Sequence, residues 1–289
     1  MTDYLPSDAT LSPYYLTGAD FDVLSLKGPD ATRFLQGQLT CDVEALAPLS
    51  CTPGAALTNK GRAYALFWVL KLDDASYLLV LNPGLGDVLT GQLRKYLPFY
   101  KCQFSDDIGG ELLLTVGAQG DFESSSPFVL GDSPLAKLHW FPQGVSSDVN
   151  LDGLTRGESR RWIADAMLLG HFPFTPADVE LYTPQELRLD EHGYVSYTKG
   201  CYTGQEIVAR MHYRGKVKKQ LYRLELDDLV DATTVTLRIA DGDDIGSAFK
   251  AMPLGGSRWR ALAFLPVEAV SENARPVPSE GQLAACEAL

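Results

Sequence analysis

The feature that most constrains the fold is a pair of hydrophobic runs in residues 62–82, rich in aliphatic and aromatic side chains. The first run, Arg62 to Leu72, reads RAYALFWVLKL, and the second, Ser76 to Asn82, reads SYLLVLN. Asp73 and Asp74 lie in the short connection between them, where turn residues are expected. Two β-rich runs joined by a short polar connection predict a β-hairpin.

Helix and strand signals surround this hairpin. Residues 20–27 alternate as a strand does, and the turn at 28–30 then supplies an N-cap for a helix over 31–39. Helical periodicity also marks 157–169. From Leu221 onward, short β segments are separated by Asp and Gly turns, which favours a small barrel. The whole pattern predicts an α+β fold.

The length and hydropathy of the chain limit its organisation and location. At 289 residues it exceeds the usual size of one compact domain, so two or three domains are expected. No apolar stretch is long enough to span a bilayer, and the N-terminus lacks the basic and apolar regions of a secretory signal. We therefore expect a cytoplasmic protein with no membrane contact.

Several classes of chemistry find no support in the motifs. The five cysteines include no CxxC pair, and their odd number fits neither a disulfide framework nor a common zinc site. The four histidines form no HExxH or other close pair. No GxSxG, Walker A or GxGxxG motif is present. We expect reduced thiols and no metal site built from protein side chains, with a transient metal contact at Cys201 left open.

Charge is distributed unevenly. A net charge of −12 and a pI near 4.8 disfavour a broad nucleic-acid surface. Residues 199–219 differ, because they contain six basic residues and one acid. Such runs are usually solvated faces, but an anionic ligand or an RNA contact remains open here.

The segment KGCYTGQE, residues 199–206, places a cysteine just before the helical run IVARMHY. Thr203 and Glu206 have the spacing of a capping box, which predicts that Thr203 caps this helix. Cys201 would then lie near the positive end of the helix dipole and near the Lys199 ammonium. Both neighbours favour the thiolate, the nucleophilic and metal-binding form. We predict Cys201 and Lys199 as the reactive pair, with an inert cysteine as the alternative.

KGCYTGQE, continued by IVARMHYRG, closely resembles the signature of the YgfZ family, folate-binding proteins implicated in tRNA modification and iron–sulfur enzyme maintenance. The resemblance extends to FLQGQLTCDV at 34–43, NKGRAYALFWVLKL at 59–72, YLLVLN at 77–82 and TPQELRLDEHGYVSY at 183–197. It therefore covers most of residues 1–220.

The YgfZ family is similar to the T-protein of glycine cleavage, an aminomethyltransferase that uses tetrahydrofolate. This similarity implies a three-domain clover-leaf with folate near its centre. The expected domains are a discontinuous folate-binding core at 1–50 and 117–215, a ferredoxin-like α+β subdomain at 51–116, and a C-terminal β-barrel at 216–289.

One difference from the T-protein bears on chemistry. The T-protein strand that corresponds to residues 61–69 carries paired aspartates, one of which is needed for methylene transfer. Ala65 and Leu66 occupy those positions here. Without a carboxylate to move a proton at the folate nitrogen, T-protein chemistry is not expected.

The resemblance implies folate contacts on the hairpin. Tyr64 and Trp68 are candidate aromatic walls for the pterin, although alternate residues of a hydrophobic strand are equally typical of a plain core. Asn82 matches an asparagine at the T-protein folate site, and a turn-forming Asn before Pro83 is its alternative.

Further candidates lie on the helical segments. Asp165 is either a partner for the pterin N–H groups, like a helix-borne carboxylate of the T-protein, or a solvated helix residue. The family continues with a Gly-x-Pro turn, whereas this chain has GHFP at 170–173, shifted by one. Four further contacts are predicted. Arg161 and Arg210 are candidates for the anionic folate tail, and Tyr202 and Gln205 are candidates from the KGCYTGQE segment. Surface charge is the alternative for both arginines.

The resemblance implies a folate-binding accessory protein with a tetrahydrofolate ligand. Its partners would be iron–sulfur enzymes such as tRNA methylthiolation enzymes, and Cys201 its reactive group. A second hypothesis is a tetrahydrofolate-dependent one-carbon transferase in which Cys201 replaces the missing carboxylate as nucleophile. A third is a module that docks RNA through residues 199–219, against which the overall acidity stands.

Overall fold

The computed structural model describes residues 12–117, 126–129, 135–143, 151–232, 235–238, 243–270 and 276–289. The α-helices in those ranges are α1 (Ala31–Gln38), α2 (Gly86–Leu93), α3 (Ser159–Leu168) and α4 (Gln205–Arg214). None of these helices combines the length and the hydropathy that a bilayer crossing requires. The strands are β1 (Tyr14–Thr17), β2 (Asp22–Lys27), β3 (Ser50–Leu57), β4 (Ala63–Asp73), β5 (Ser76–Leu81), β6 (Gln103–Ser105), β7 (Gly110–Val116), β8 (Ser126–Val129), β9 (Ala136–Pro142), β10 (Thr155–Arg156), β11 (Lys219–Asp227), β12 (Thr236–Arg238), β13 (Asp244–Ser247), β14 (Phe249–Gly255), β15 (Arg258–Pro266), β16 (Val277–Pro278) and β17 (Gln282–Ala288).

The predicted hairpin is confirmed, and it forms the centre of a five-stranded sheet. Strands β4 and β5 pair antiparallel, with Lys71 opposite Tyr77 next to the turn, and the sheet order is β3-β4-β5-β2-β6. The residues of β4 from Ala63 to Lys71 are buried without a break. A strand without alternation of polar and apolar residues is covered on both faces.

The two faces of this sheet belong to different hydrophobic cores. One face packs with helices α1 and α2, which contribute Phe34 and Leu89. The other face carries Trp68 and Val80, which pack with a second sheet of order β10-β1-β7-β9-β8 and with Trp162 of α3. Because α3 and the second sheet cover Trp68, the middle of β4 lies at the junction of several elements.

The structure confirms a mixed fold with few helices and several sheets. Two strands pair across the expected domain boundaries. Strand β2 lies in the range 1–50 but pairs with β5, and β7 lies in the range 51–116 but pairs with β1. Residues 1–11 of the expected core lie outside the described residues. The division into three domains stays a prediction.

From Lys219 onward, the described residues form two sheets, ordered β14-β15-β11-β17 and β13-β12-β16. One hydrophobic core lies within this region and includes the fully buried Leu224 and Leu265, while Leu221 and Leu262 belong to the core that contains α1 and α2. No pairing between the described strands closes these sheets into one barrel, so the barrel stays a prediction. Arg260 of β15 donates a hydrogen bond to the carbonyl oxygen of Ala164 at 2.9 Å, which connects this β region to α3.

Candidate functional site

The Lys199 ammonium is held at the carboxyl end of α1. Its Nζ donates hydrogen bonds to the carbonyl oxygens of Gln36, Leu39 and Cys41 at 2.8, 2.7 and 2.7 Å. Carbonyls at the end of a helix lack partners within the helix, and the negative end of the dipole favours a cation. Burial lowers the pKa of Lys199 to about 8. All three ammonium donors are therefore engaged by the backbone of residues 34–43.

Cys201 is the exposed one of the five cysteines, and the other four are buried or half-buried. Burial raises the pKa of Cys41 and of Cys51 to about 12, so neither thiol ionises near neutral pH. Since the donors of Lys199 are engaged by the backbone of residues 34–43, an effect of this ammonium on the thiol stays a prediction. In the described ranges, no three His, Cys, Asp or Glu side chains are grouped to hold a metal ion.

Helix α4 does not begin with the predicted capping box. Its N-cap is Gly204, in the left-handed conformation at φ 85°, without a side-chain cap hydrogen bond. The Thr203 hydroxyl instead donates to Oε1 of Gln38 at 3.4 Å. A Cβ at position 204 would lie 2.6 Å from the carbonyl oxygen of Thr58, so only glycine fits here. The predicted capping box of Thr203 and Glu206 is wrong because the helix begins one residue later than predicted, so Gly204 and not Thr203 occupies the N-cap position.

The other predicted residues of this segment lie in different environments. Tyr202 is buried, its ring centre lies 5.2 Å from Lys199 Nζ, and its hydroxyl has no hydrogen-bond partner among the described residues. Burial raises the pKa of Tyr202 to about 12. Gln205 is the half-buried first residue of α4, and Arg210 is exposed farther along that helix.

A central cavity of about 40 Å³ lies between the two large sheets, α3 and the segment 171–173. Two predicted folate residues, Trp68 and Asn82, line this cavity together. Most of its other lining is apolar, and no charged side chain is among the described lining residues. Such a volume holds a few water molecules, whereas small-molecule sites usually measure ~300 Å³ or more. A ring ligand therefore requires the walls to move apart.

Two polar side chains of the central cavity keep an unused hydrogen-bonding atom. His171 Nδ1 lies 3.2 Å from the Tyr194 hydroxyl, while its Nε2 has no partner among the described residues. Burial, and to a smaller extent His192, lower the pKa of His171 to about 3, so its ring is neutral at physiological pH. Asn82 donates from Nδ2 to the carbonyl oxygen of Phe174 at 2.9 Å, which leaves Oδ1 as an acceptor.

Asp165, the predicted pterin anchor, does not line the central cavity. Its carboxylate oxygens lie 3.7 Å from Arg161 Nε and 3.7 Å from Arg260 Nη1. Burial raises the pKa of Asp165, against the lowering effect of Tyr14 and the two arginines. The Arg161 guanidinium also lies 4.2 Å from the ring centre of Tyr14. Asp165 and Arg161 therefore connect α3 to β1 and β15.

Tyr64 lines a different cavity, of about 350 Å³, next to the KGCYTGQE segment. The lining of this second cavity is mostly polar and includes Lys60, Lys95 and Thr203. Tyr64 and Trp68 lie on the same strand, about 13 Å apart along an extended chain. The structure does not bring them together as two walls of one site.

Sequence reasoning missed three residues of the central cavity, His171, Tyr194 and Trp162. None of them belongs to a motif with a known chemical role, so spacing alone does not single them out. One signal was usable: the GHFP segment at 170–173, where the chain departs from the Gly-x-Pro pattern. That departure places a histidine in the cavity wall.

Relatives among the curated proteins carry the name tRNA-modifying protein YgfZ. The protein of Colwellia psychrerythraea is 30% identical over 243 residues, which cover 76% of this chain and 74% of that protein. The protein of Vibrio vulnificus is 29% identical over 269 residues, which cover 84% of this chain and 81% of that protein. No family model matches the chain.

A solved structure shares the fold. The glycine cleavage system aminomethyltransferase T from Bartonella henselae matches with a TM-score of 0.65, covering 96% of this chain and 85% of that chain. The sequence identity is 14%, so the likeness is one of fold. It agrees with the T-protein-like architecture expected from the sequence.

Proposed function

The chain belongs to the YgfZ family, and we propose that it is a folate-binding accessory protein that supports tRNA modification and the assembly or repair of iron–sulfur enzymes. Its ligand is tetrahydrofolate or a derivative, its reactive group is Cys201, and its clients include tRNA methylthiolation enzymes. In this proposal the protein acts in the cytoplasm. It has three domains, and its C-terminal sheets form a small barrel.

The observation that carries this proposal is an exposed thiol in a segment that is anchored on both sides. Before Cys201, Lys199 is bonded to the end of α1. After it, Gly204 packs against the carbonyl of Thr58. A segment held in this way presents a thiol in a defined position, so a partner protein does not have to order it on binding. Such a thiol is suited to an exchange with another macromolecule at the surface.

Folate binding is supported by the central cavity. Trp68 and Trp162 provide flat apolar surface, and His171 and Asn82 provide unused polar atoms, a combination that suits an uncharged ring with a polar edge. A bound reduced folate would supply a carrier for one-carbon units. The residues of this chain would hold the ring, orient its polar edge and exclude water from it.

The alternative, a tetrahydrofolate-dependent one-carbon transferase, has less support. Leu66 lines the central cavity at one of the positions where the T-protein has an aspartate, and the described lining contains no Asp or Glu. His171 is a weak base for proton transfer at neutral pH, since burial lowers its pKa to about 3. Transfer would then depend on Cys201, which does not line the cavity.

Direct contact with tRNA is a third candidate function, through a basic surface at the end of α4 and the start of β11. This basic surface consists of five exposed residues, Arg210, Arg214, Lys216, Lys218 and Lys219. Tyr213 lies among them with 70% of its surface exposed. Cations neutralise phosphates, and an exposed aromatic ring stacks on an unpaired base. Lys199, the sixth cation of the run, is buried and takes no part.

The reactive role of Cys201 is tested by complementation of a strain that lacks this protein. Cys201→Ser is expected to fail to restore iron–sulfur tRNA-modifying activity, because the hydroxyl is a poor nucleophile and a poor soft-metal ligand. Cys51→Ser, at a half-buried thiol, is the matched control and is expected to restore it. Full restoration by Cys201→Ser would overturn the thiol role.

Ligand binding is tested by calorimetric titration with tetrahydrofolate. Asn82→Ala is expected to weaken binding, whereas Asp165→Asn, outside the central cavity, is expected to leave it nearly unchanged. Consumption of 5,10-methylenetetrahydrofolate above the level without protein would favour the transferase.

Contact of the basic surface with tRNA is tested by measuring tRNA affinity at several salt concentrations. Affinity that falls with salt and is lost in Lys216→Glu/Lys218→Glu supports the contact, and affinity independent of salt contradicts it.

A further inference from the structure

His171 has a hydrogen-bonding atom whose partner is missing from the described protein. The side chain is 5% exposed, and Nε2 has no partner among the described residues. Buried polar atoms are nearly always paired in native proteins, since an unpaired one lowers stability. His171 lines the central cavity, so an occupant of that cavity is the available partner.

Tyr194 is placed to select which ring nitrogen of His171 carries the proton. The Tyr194 hydroxyl lies 3.2 Å from Nδ1, and both side chains are buried. When Tyr194 donates to Nδ1, its own proton is paired and Nε2 carries the ring N–H. The reverse arrangement would leave both the Tyr194 proton and the Nε2 lone pair unmatched. In the favoured arrangement Nε2 is a donor, on a ring that stays neutral because burial lowers the pKa of His171 to about 3.

The His171 ring packs against an aromatic neighbour in the central cavity. Trp68 stands nearly perpendicular to it, with ring centres 4.8 Å apart and an interplanar angle of 87°. Asn82, in the same cavity, presents the opposite polarity, since its Nδ2 is bonded to the Phe174 carbonyl and its Oδ1 is free to accept. The residues that line the cavity thus offer one neutral donor, on His171, and one neutral acceptor, on Asn82, beside aromatic side chains.

We infer that His171 selects ligands whose ring carries a cyclic amide, by donating from Nε2 to the ring carbonyl oxygen while Asn82 Oδ1 accepts from the adjacent ring N–H. Pterins, flavins and guanine share this edge. A ring with an amino group in place of the carbonyl reverses the polarity and meets the His171 donor with another donor, which a site built for hydrogen bonding rejects. The inference rests on the proposed function only for the choice of a pterin as the first ligand to test.

Folic acid and aminopterin differ at the 4-position of the pteridine, which is an oxo group in the first and an amino group in the second. Calorimetry of the full chain with both compounds gives a ratio of dissociation constants. Wild type is expected to bind folic acid at least about tenfold more tightly, the difference that one well-placed hydrogen bond produces. His171→Phe is expected to bring the ratio near one, and His171→Gln, which keeps an N–H donor, is expected to preserve it.

Tyr194→Phe is the positioning variant, because it removes the hydroxyl that selects the tautomer and leaves the His171 ring in place. An intermediate ratio is expected. A purely structural role of His171 would change both affinities together and leave the ratio alone. If His171→Phe does not fold, the Tyr194→Phe ratio decides, and a value equal to that of wild type overturns the inference.

Riboflavin and guanosine are titrated in the same way, as two further ring compounds that carry a cyclic amide. A ratio in folded His171→Phe equal to that of wild type overturns the inference, and so does a wild-type protein that binds none of the four compounds. If riboflavin or guanosine binds in a His171-dependent manner while folic acid does not, recognition of a cyclic amide stands and the folate proposal fails.

Discussion

Lys199 Nζ lies 2.7 Å from the carbonyl oxygen of Leu39, although 160 residues separate the two in the chain. The contact joins the segments 34–43 and 199–206, both of which carry the family resemblance. It places a cation at the carboxyl end of α1, where the helix dipole favours one. The motif lysine therefore acts as an anchor that holds the Cys201 segment on the core.

Replacement of Lys199 by Met is expected to destabilise the protein by about 3 kcal/mol, because buried carbonyl oxygens lose their donors. Three such oxygens depend on this one side chain. Lys216→Met, at an exposed position, is the control and is expected to change stability by less than about 0.5 kcal/mol. Urea unfolding of both variants measures the difference, and similar midpoints for the two would contradict the anchoring role.

Gly204→Ala and Gly200→Ala form a matched pair within one motif. At Gly204, φ is 85° and a Cβ would lie 2.6 Å from the Thr58 carbonyl oxygen, whereas a Cβ at Gly200 would meet nothing within 4 Å. We expect a loss of about 2–4 kcal/mol for Gly204→Ala, from the left-handed backbone and the clash, and about 0.5 kcal/mol or less for Gly200→Ala. Thermal unfolding checks this order, and equal effects would show that the close approach to Thr58 is not maintained.

Iodoacetamide is expected to label the native protein at Cys201 first. Cys201 is exposed, whereas burial raises the pKa of Cys41 to about 12 and keeps its sulfur from solvent. Labelling rates follow the accessible thiolate, so Cys41 is expected to react only after unfolding. Peptide mass spectrometry over a time course separates the sites. Labelling of Cys41 at the rate of Cys201 in native protein would show that the contacts around α1 open readily.

His171 is expected to make the protein sensitive to acid. Its pKa is about 3 when folded, against 6.5 for an unperturbed histidine, so both states are neutral above pH 6.5 and its contribution is fully present there. As the pH falls from 6.5 towards 3, only the unfolded state gains this proton, and stability drops by about 1.4 kcal/mol per pH unit.

The His171→Phe variant isolates this effect, since His192 and the carboxylates are retained. Between pH 7.5 and pH 4.5, the free energy of unfolding of wild type is expected to fall by about 3 kcal/mol more than that of the variant. The difference arises between pH 6.5 and pH 4.5, where only the unfolded state of wild type gains the His171 proton. Urea unfolding across this range provides the comparison. Parallel stability profiles for the two proteins would mean that His171 is protonated in the folded state.

The elements predicted best are those whose signals are local. The hairpin runs predicted at 62–72 and 76–82 appear as β4 and β5, at Ala63–Asp73 and Ser76–Leu81, because side-chain type along a short segment favours a strand directly. The helix predicted over 157–169 appears as α3 for the same kind of reason. Within the candidate site, Trp68 and Asn82 were placed together through the family resemblance, and the structure brings both to the central cavity.

The sequence by itself determined the hairpin, the helical segments and the family, because these depend on residues close together in the chain. Only the tertiary structure decided that Thr203 bonds Gln38 instead of capping α4, and that Lys199 is buried at α1 while Cys201 is exposed. It also decided that His171 keeps an unpaired nitrogen at the central cavity. Burial and hydrogen-bond pairing are set by residues distant in sequence, so no local pattern specifies which polar atom is left without a partner.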